Sequence, residues 1–148
     1  MGLPGTIDST VYAGLRDVLD RHPAVTSVGY EPDSISKEFV RATVAPARIE
    51  PPTGSESPVI EVEWRFRGNT EYYRIHYADP NTGFNCGWHR DTDHPDLGSV
   101  HFQYEPRNTE DAGHVRWEFE KSAPTEILWT ALERLFETEI PRYTSEDT

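Results

Sequence analysis

The stretch GWHRDTDHPDLGSVHFQ, residues 87–103, holds three histidines and three aspartates in seventeen positions. Two kinds of chemistry can use such residues. The first is phosphate chemistry: histidines near their ordinary pKa exchange protons at neutral pH, and arginines stabilise charge gathered on a transferring phosphoryl group. On this reading His76, His89 and His101 are the candidate catalytic groups, and Arg65, Arg67, Arg74, Arg90, Gln103 and Arg116 the candidate substrate contacts. The second is metal binding, for which His89, Asp91, Asp93, His94 and His101 offer nitrogen and oxygen donors close together in the chain. Their spacing matches no standard zinc signature. DTDHPD also lacks the sixth-position glycine and twelfth-position glutamate of a calcium loop. The expectation from these residues is therefore phosphodiester cleavage or phosphate binding with no cofactor, with metal-independent ribonuclease-like activity one form it could take, and the metal set is the weaker alternative. A third use involves no chemistry: a face rich in Trp, Tyr and Arg suits protein contact.

These residues depend on strands for their placement. In VIEVEWRFR, residues 59–67, Ile60, Val62, Trp64 and Phe66 alternate with Glu61, Glu63, Arg65 and Arg67. Gly68-Asn69 turns into EYYRIHY, residues 71–77, and ADPNTG, residues 78–83, makes a second turn. Alternation continues through residues 84–89, 100–105 and 114–119. If the parity holds, Arg65, Arg67, Arg74, His76, His89, His101, Gln103, His114 and Arg116 all emerge on the face opposite the aromatic one. An ordinary solvated sheet face with cross-strand polar pairs would show the same parity. Period two assigns faces, not neighbours. Cys86 falls on the aromatic side and reads as a core residue.

Two further strands are expected at 25–30 and 38–45. PARIEPPTGSESP, residues 46–58, reads as a surface loop. Residues 8–22 and 122–140 carry apolar residues at helical spacing, with Asp8 or Ser9 and Ser122 as caps, Pro124 in a first turn and Pro141 as a stop. The polar residues 143–148 read as a flexible tail. The pattern predicts one α+β domain over 1–148: a two-layer fold whose mostly antiparallel sheet of five to seven strands carries both terminal helices on one face.

Charge and composition narrow the setting. The chain has 26 acidic and 14 basic residues, for a net charge of -12. Only Lys37 and Lys121 are lysines. That is a halophile-like surface, whose self-repulsion is screened where the Debye length falls to about 3 Å near 1 M salt. It argues against a broad electrostatic grip on nucleic acid and leaves a local arginine patch as the route to phosphate. Residues 61–90 balance four arginines against four acids, whereas 91–148 carry fourteen acids and five bases. With one cysteine, no leader-like opening and no apolar run of membrane-spanning length, a soluble cytoplasmic protein is expected.

The segment YYRIHYADPNTGFNCGWHRDTDHPDLGSVHFQ, residues 72–103, resembles the central part of TumE-like proteins, toxin-side members of prokaryotic toxin–antitoxin pairs. Tyr73, Arg74, Tyr77, Arg90, Asp91 or Asp93, His94, Pro95 and His101 take the places of the family's strand, His-Pro pair and histidine-bearing strand. The family commonly pairs adjacent histidines at two points where this chain has single ones, His94 and His101. The resemblance implies a cytoplasmic toxin neutralised by a cognate antitoxin and acting on RNA, or an inactive relative kept for binding. Other readings left open are a non-enzymatic homodimer that buries the polar face and a divalent-metal-binding protein using residues 89–101.

Overall fold

The computed structural model describes residues 3–91, 100–106 and 112–145. Among them, seven strands form one antiparallel sheet in which each lies beside its sequence neighbours, β1 to β7. They are β1 (Val25–Glu31), β2 (Phe39–Val44), β3 (Val59–Arg67), β4 (Thr70–Ala78), β5 (Asn85–Arg90), β6 (Val100–Glu105) and β7 (Gly113–Arg116). Helix α1 (Ser9–Arg21) precedes the sheet, and α2 (Pro124–Arg134), a π turn (Leu135–Glu139) and α3 (Ile140–Ser145) follow it. The expected α+β architecture is present, at the upper end of the expected strand number.

Alternation explains the two-sidedness. Ile60, Val62 and Trp64 of β3 pair with Tyr77, Ile75 and Tyr73 of β4, and all six are buried against the helices. The Trp64 and Tyr73 rings stack with centroids 4.3 Å apart, and Trp88 and Phe102 meet at 4.9 Å. Such cross-strand aromatic pairs fix register, because a slip of one residue would turn every side chain to the wrong face. From α1, Tyr12 donates its hydroxyl hydrogen to the Glu38 carbonyl at 2.8 Å and accepts the Trp64 N–H at 3.1 Å. One buried phenol thereby ties the helix to both the entry of β2 and the middle of β3.

Several boundaries differ from expectation. The seventh strand ends at Arg116, although Trp117 still donates its N–H to the Val100 carbonyl at 3.2 Å; Trp117 and Phe119 pack on Trp88, with centroids 5.8 and 6.3 Å away. Helix α2 is capped by Ala123 without a side-chain hydrogen bond, so Ser122 has no capping role; Pro124, lacking an N–H, suits the first turn. Pro141 does not end the helical run. The π turn just before it hands the Ile140 N–H to the Leu135 carbonyl, and this wider turn lets Pro141 enter the first turn of α3. Residues expected to fray from Tyr143 instead continue helically to Ser145, and Tyr143 stacks on Phe84 at 4.9 Å and Tyr104 at 5.6 Å. The 46–58 loop begins with a 3-10 turn, Pro46–Arg48, and buries Ile49. Its far end is held by Asn81, whose side chain accepts the Glu56 N–H and donates to the Glu56 carbonyl.

Candidate functional site

Register turns shared parity into two rows on the face away from the helices. Across β3 to β7, the first row runs Glu63, Arg74, His89, His101, Arg116, each residue paired with the next. The second runs Arg41, Glu61, His76, Gly87, Gln103, His114, from β2 to β7. Because neighbouring strands lie about 4.8 Å apart, side chains in one row touch. The four imidazoles zigzag between the rows: His76 to His89 is 6.4 Å between centroids, His89 to His101 5.1 Å, and His101 to His114 5.7 Å. Gln103 Oε1 lies 3.2 Å from His114 Nε2. The expected histidines His76, His89 and His101 therefore converge.

Gly87 makes room for this array. A Cβ there would stand 2.4 Å from the Ile75 carbonyl oxygen and 3.2 Å from His76 Nδ1. With hydrogen in that place, β5 sits close against β4, and the His76 ring lies beside the strand.

Burial sets the protonation of the array. His89 is 8% exposed and His101 1%, whereas His76 is half-buried and His114 exposed. Burial, reinforced by the Arg74 charge, pushes His76 down to about 4. The same causes, with the neighbouring histidines, push His89 down to about 3. Both are neutral at pH 7 and present lone pairs, contrary to the expectation that they sit near the ordinary histidine value. His76 Nδ1 and His89 Nε2 are buried without a hydrogen-bond partner.

The arginines divide. Arg74 and Arg116 flank the His89–His101 pair in the same row. Arg74 lies 4.0 Å from Glu61, which also faces Arg41 at 3.7 Å. Arg65 is engaged by Glu63 at 3.0 Å. Arg67, four residues beyond Glu63 on β3, stands roughly 13 Å along the strand from the first row. Arg90 lies on the other face, opposite the buried Tyr73, in a cleft shared with Lys121 and Ile127. It does not join the array. Beside His76, a cleft of about 470 Å³ opens between Arg41, Glu61, Asp79 and Asn85.

Of the metal-ligand set, Asp93 and His94 lie outside the described residues. Donor atoms of the other three, His89, Asp91 and His101, all fall within 4.8 Å of one another. Cys86 is buried on the helix side, where burial pushes its thiol well above the usual range, so it is no nucleophile. His22 stacks on Phe136 at 4.4 Å in the helix layer and is remote from this chemistry. Two members of the site escaped the sequence-based candidate set. His114 shares the parity and could have been included on that signal, while Gly87 is visible only as the one position in the second row without a side chain.

The sheet and its polar face define a small α+β protein with a histidine chain flanked by arginines. A family model described as Toxin TumE matches residues 15–136, most of the chain, and the chain belongs to this toxin family. Membership makes it a toxin-side member of toxin–antitoxin systems and implies an antitoxin partner. No curated protein and no solved structure matches it. Among the described residues, no helix is long and apolar enough to cross a membrane.

Proposed function

We propose that this toxin acts in the cytoplasm on RNA, bound across the polar face of β4 to β7. The observation that carries the reading is the four-histidine chain with Arg74 and Arg116 at the ends of its central pair. Phosphate oxygens suit the two guanidiniums, and the cleft beside His76 offers a concave place for an adjoining nucleotide. His76, His89 and His101 supply proton transfer. His76 and His89, neutral at pH 7, enter as acceptors, the role needed to take a proton from a ribose hydroxyl. Net charge of -12 confines binding to this patch and suits work in strong salt, as in a halophile.

The test is RNA binding and cleavage at high salt by the wild type, Arg116→Ala and His101→Gln, with the fold checked by circular dichroism. Arg116 is exposed, so its loss should leave the fold intact, weaken binding across sequences and lower the salt slope by about one contact. His101→Gln should abolish cleavage. Absence of both binding and cleavage by the wild type, on single-stranded and structured RNAs, would refute the reading and favour a purely protein-binding face.

A further inference from the structure

We propose that His89, Asp91 and His101 form a binding site for a divalent transition-metal ion of the zinc class. The donor set is two imidazoles and one carboxylate, the three-ligand arrangement that leaves zinc an open position for water or a substrate oxygen. Calcium and magnesium, which take all-oxygen shells, are excluded by the same chemistry.

The fold builds this set. His89 and His101 are directly opposed on β5 and β6, and their rings meet edge to face at 78°. Asp91 follows His89 by two residues and so falls on the same face, just past the end of β5. The three donor atoms lie within 4.8 Å of one another. With zinc–ligand bonds of about 2.0–2.1 Å, tetrahedral donors stand roughly 3.4 Å apart. Closing that gap takes a shift of at most about 1.4 Å shared among the three side chains.

A second observation points the same way. His89 is 8% exposed, yet its Nε2 has no hydrogen-bond partner. A buried nitrogen without a partner costs free energy that a metal bond would recover. The opposing influence is Arg74, across from His89, and Arg116, across from His101. Glu61 lies 4.0 Å from the Arg74 guanidinium and partly offsets it, and Asp91 brings a negative charge of its own to the donor set. In the loaded protein His89 and His101 hold the ion, and His76 is left as the neighbouring imidazole for proton transfer.

The experiment uses the full chain, purified without a histidine tag, stripped with chelator and kept in high potassium chloride to suppress loose binding to the acidic surface. Zn²⁺ is titrated calorimetrically, and Co²⁺ is followed by its visible ligand-field bands. The expected result is stoichiometric binding, with cobalt bands of reduced coordination number. Replacing a group that merely supports a ligand costs roughly 10–100-fold in affinity, so Asp91→Asn should weaken binding at least about tenfold. His89→Gln should abolish it. Asp91 is half-buried and lies outside the strand, so its variant should keep the wild-type circular dichroism and decides the matter if His89→Gln fails to fold. A wild type that takes up no stoichiometric Zn²⁺, or an Asp91→Asn protein that binds as tightly as the wild type, overturns the assignment. No RNA enters these measurements, so their outcome is separable from that of the substrate reading.

Discussion

Replacing Gly87 by alanine should cost the metal-free protein about 2 kcal/mol. The added Cβ would lie 2.4 Å from the Ile75 carbonyl oxygen, about 1 Å inside the 3.4 Å at which ordinary contact begins. The obstacle is backbone, which no rotamer change removes. Strands β4 and β5 must part around the His76–Gly87 pair, and the ladder hydrogen bonds there must stretch. Overpacking of this kind costs about 1–3 kcal/mol, and this backbone clash belongs near the upper limit. Alanine also restricts the unfolded chain and returns about 0.4–1 kcal/mol, which leaves the net figure. At this chain length the loss lowers Tm by roughly 4–8 °C. Gly29→Ala is the matched control: a Cβ there meets nothing within 4 Å, so only the unfolded-state effect remains and stability should rise by about 0.4–1 kcal/mol. Urea titrations of the two variants at one salt concentration, with equal slopes, measure the difference. Two variants indistinguishable in midpoint would show that close strand approach at Gly87 is not what the array requires.

Two further outcomes concern buried charge and acid. Glu139 is 1% exposed and is held by Arg134 at 2.7 Å and Arg142 at 3.6 Å, while Arg134 also covers the Trp117 ring at 5.1 Å. Arg134→Met leaves a buried carboxylate with only the more distant Arg142 and should cost about 3 kcal/mol, whereas Glu139→Gln leaves two half-exposed arginines that water can solvate and should cost about 1 kcal/mol. Equal losses in chemical denaturation would refute that asymmetry. For the metal-free protein, His76 stays neutral down to about 4 when folded but titrates near 6.5 when unfolded, and His22 is shifted in the same direction by burial. The unfolded chain takes up protons that the folded one refuses, so this stability is complete above pH 6.5 and lost as pH falls toward 4. For His76 the loss approaches about 1.4 kcal/mol per pH unit. Urea midpoints between pH 8 and pH 5 should fall accordingly, and less steeply in His76→Gln; equal slopes in the two proteins would count against a buried neutral His76.

Strand parity was legible because β3 and β4 are amphipathic at period two, with Trp64, Tyr73, Ile75 and Tyr77 on one side and Glu61, Glu63, Arg74 and His76 on the other. The sequence could therefore assign faces to the histidines, but not neighbours. Neighbours depend on strand order, and the observed succession from β4 to β7 puts His76, His89, His101 and His114 on four adjacent strands. Arg90 shows the limit from the other side: it is near the histidines in sequence, yet its parity matches Trp88 and puts it across the sheet. Burial was illegible as well. His89 and His101 share their parity with exposed or half-buried polar residues such as Arg74 and Arg116, and nothing in that alternation announces that both are almost fully enclosed. The helical C-terminal region misled because Pro141 is a sound stop signal in a regular helix; the π turn that accommodates it is a product of tertiary packing around Glu139 and Tyr143.

The uncrossed strand order also bears on how a ribosome can make such a protein. Each strand pairs with the one just synthesised, so hairpins form as the chain emerges and no strand waits for a distant partner. The histidine chain begins at β4 and is completed only at β7, and the helix layer is closed by α2 and α3 later still. During most of synthesis the nascent protein has a partial sheet and no assembled array. The polar face is therefore assembled only after residue 116 has been made, later than the strands that begin it.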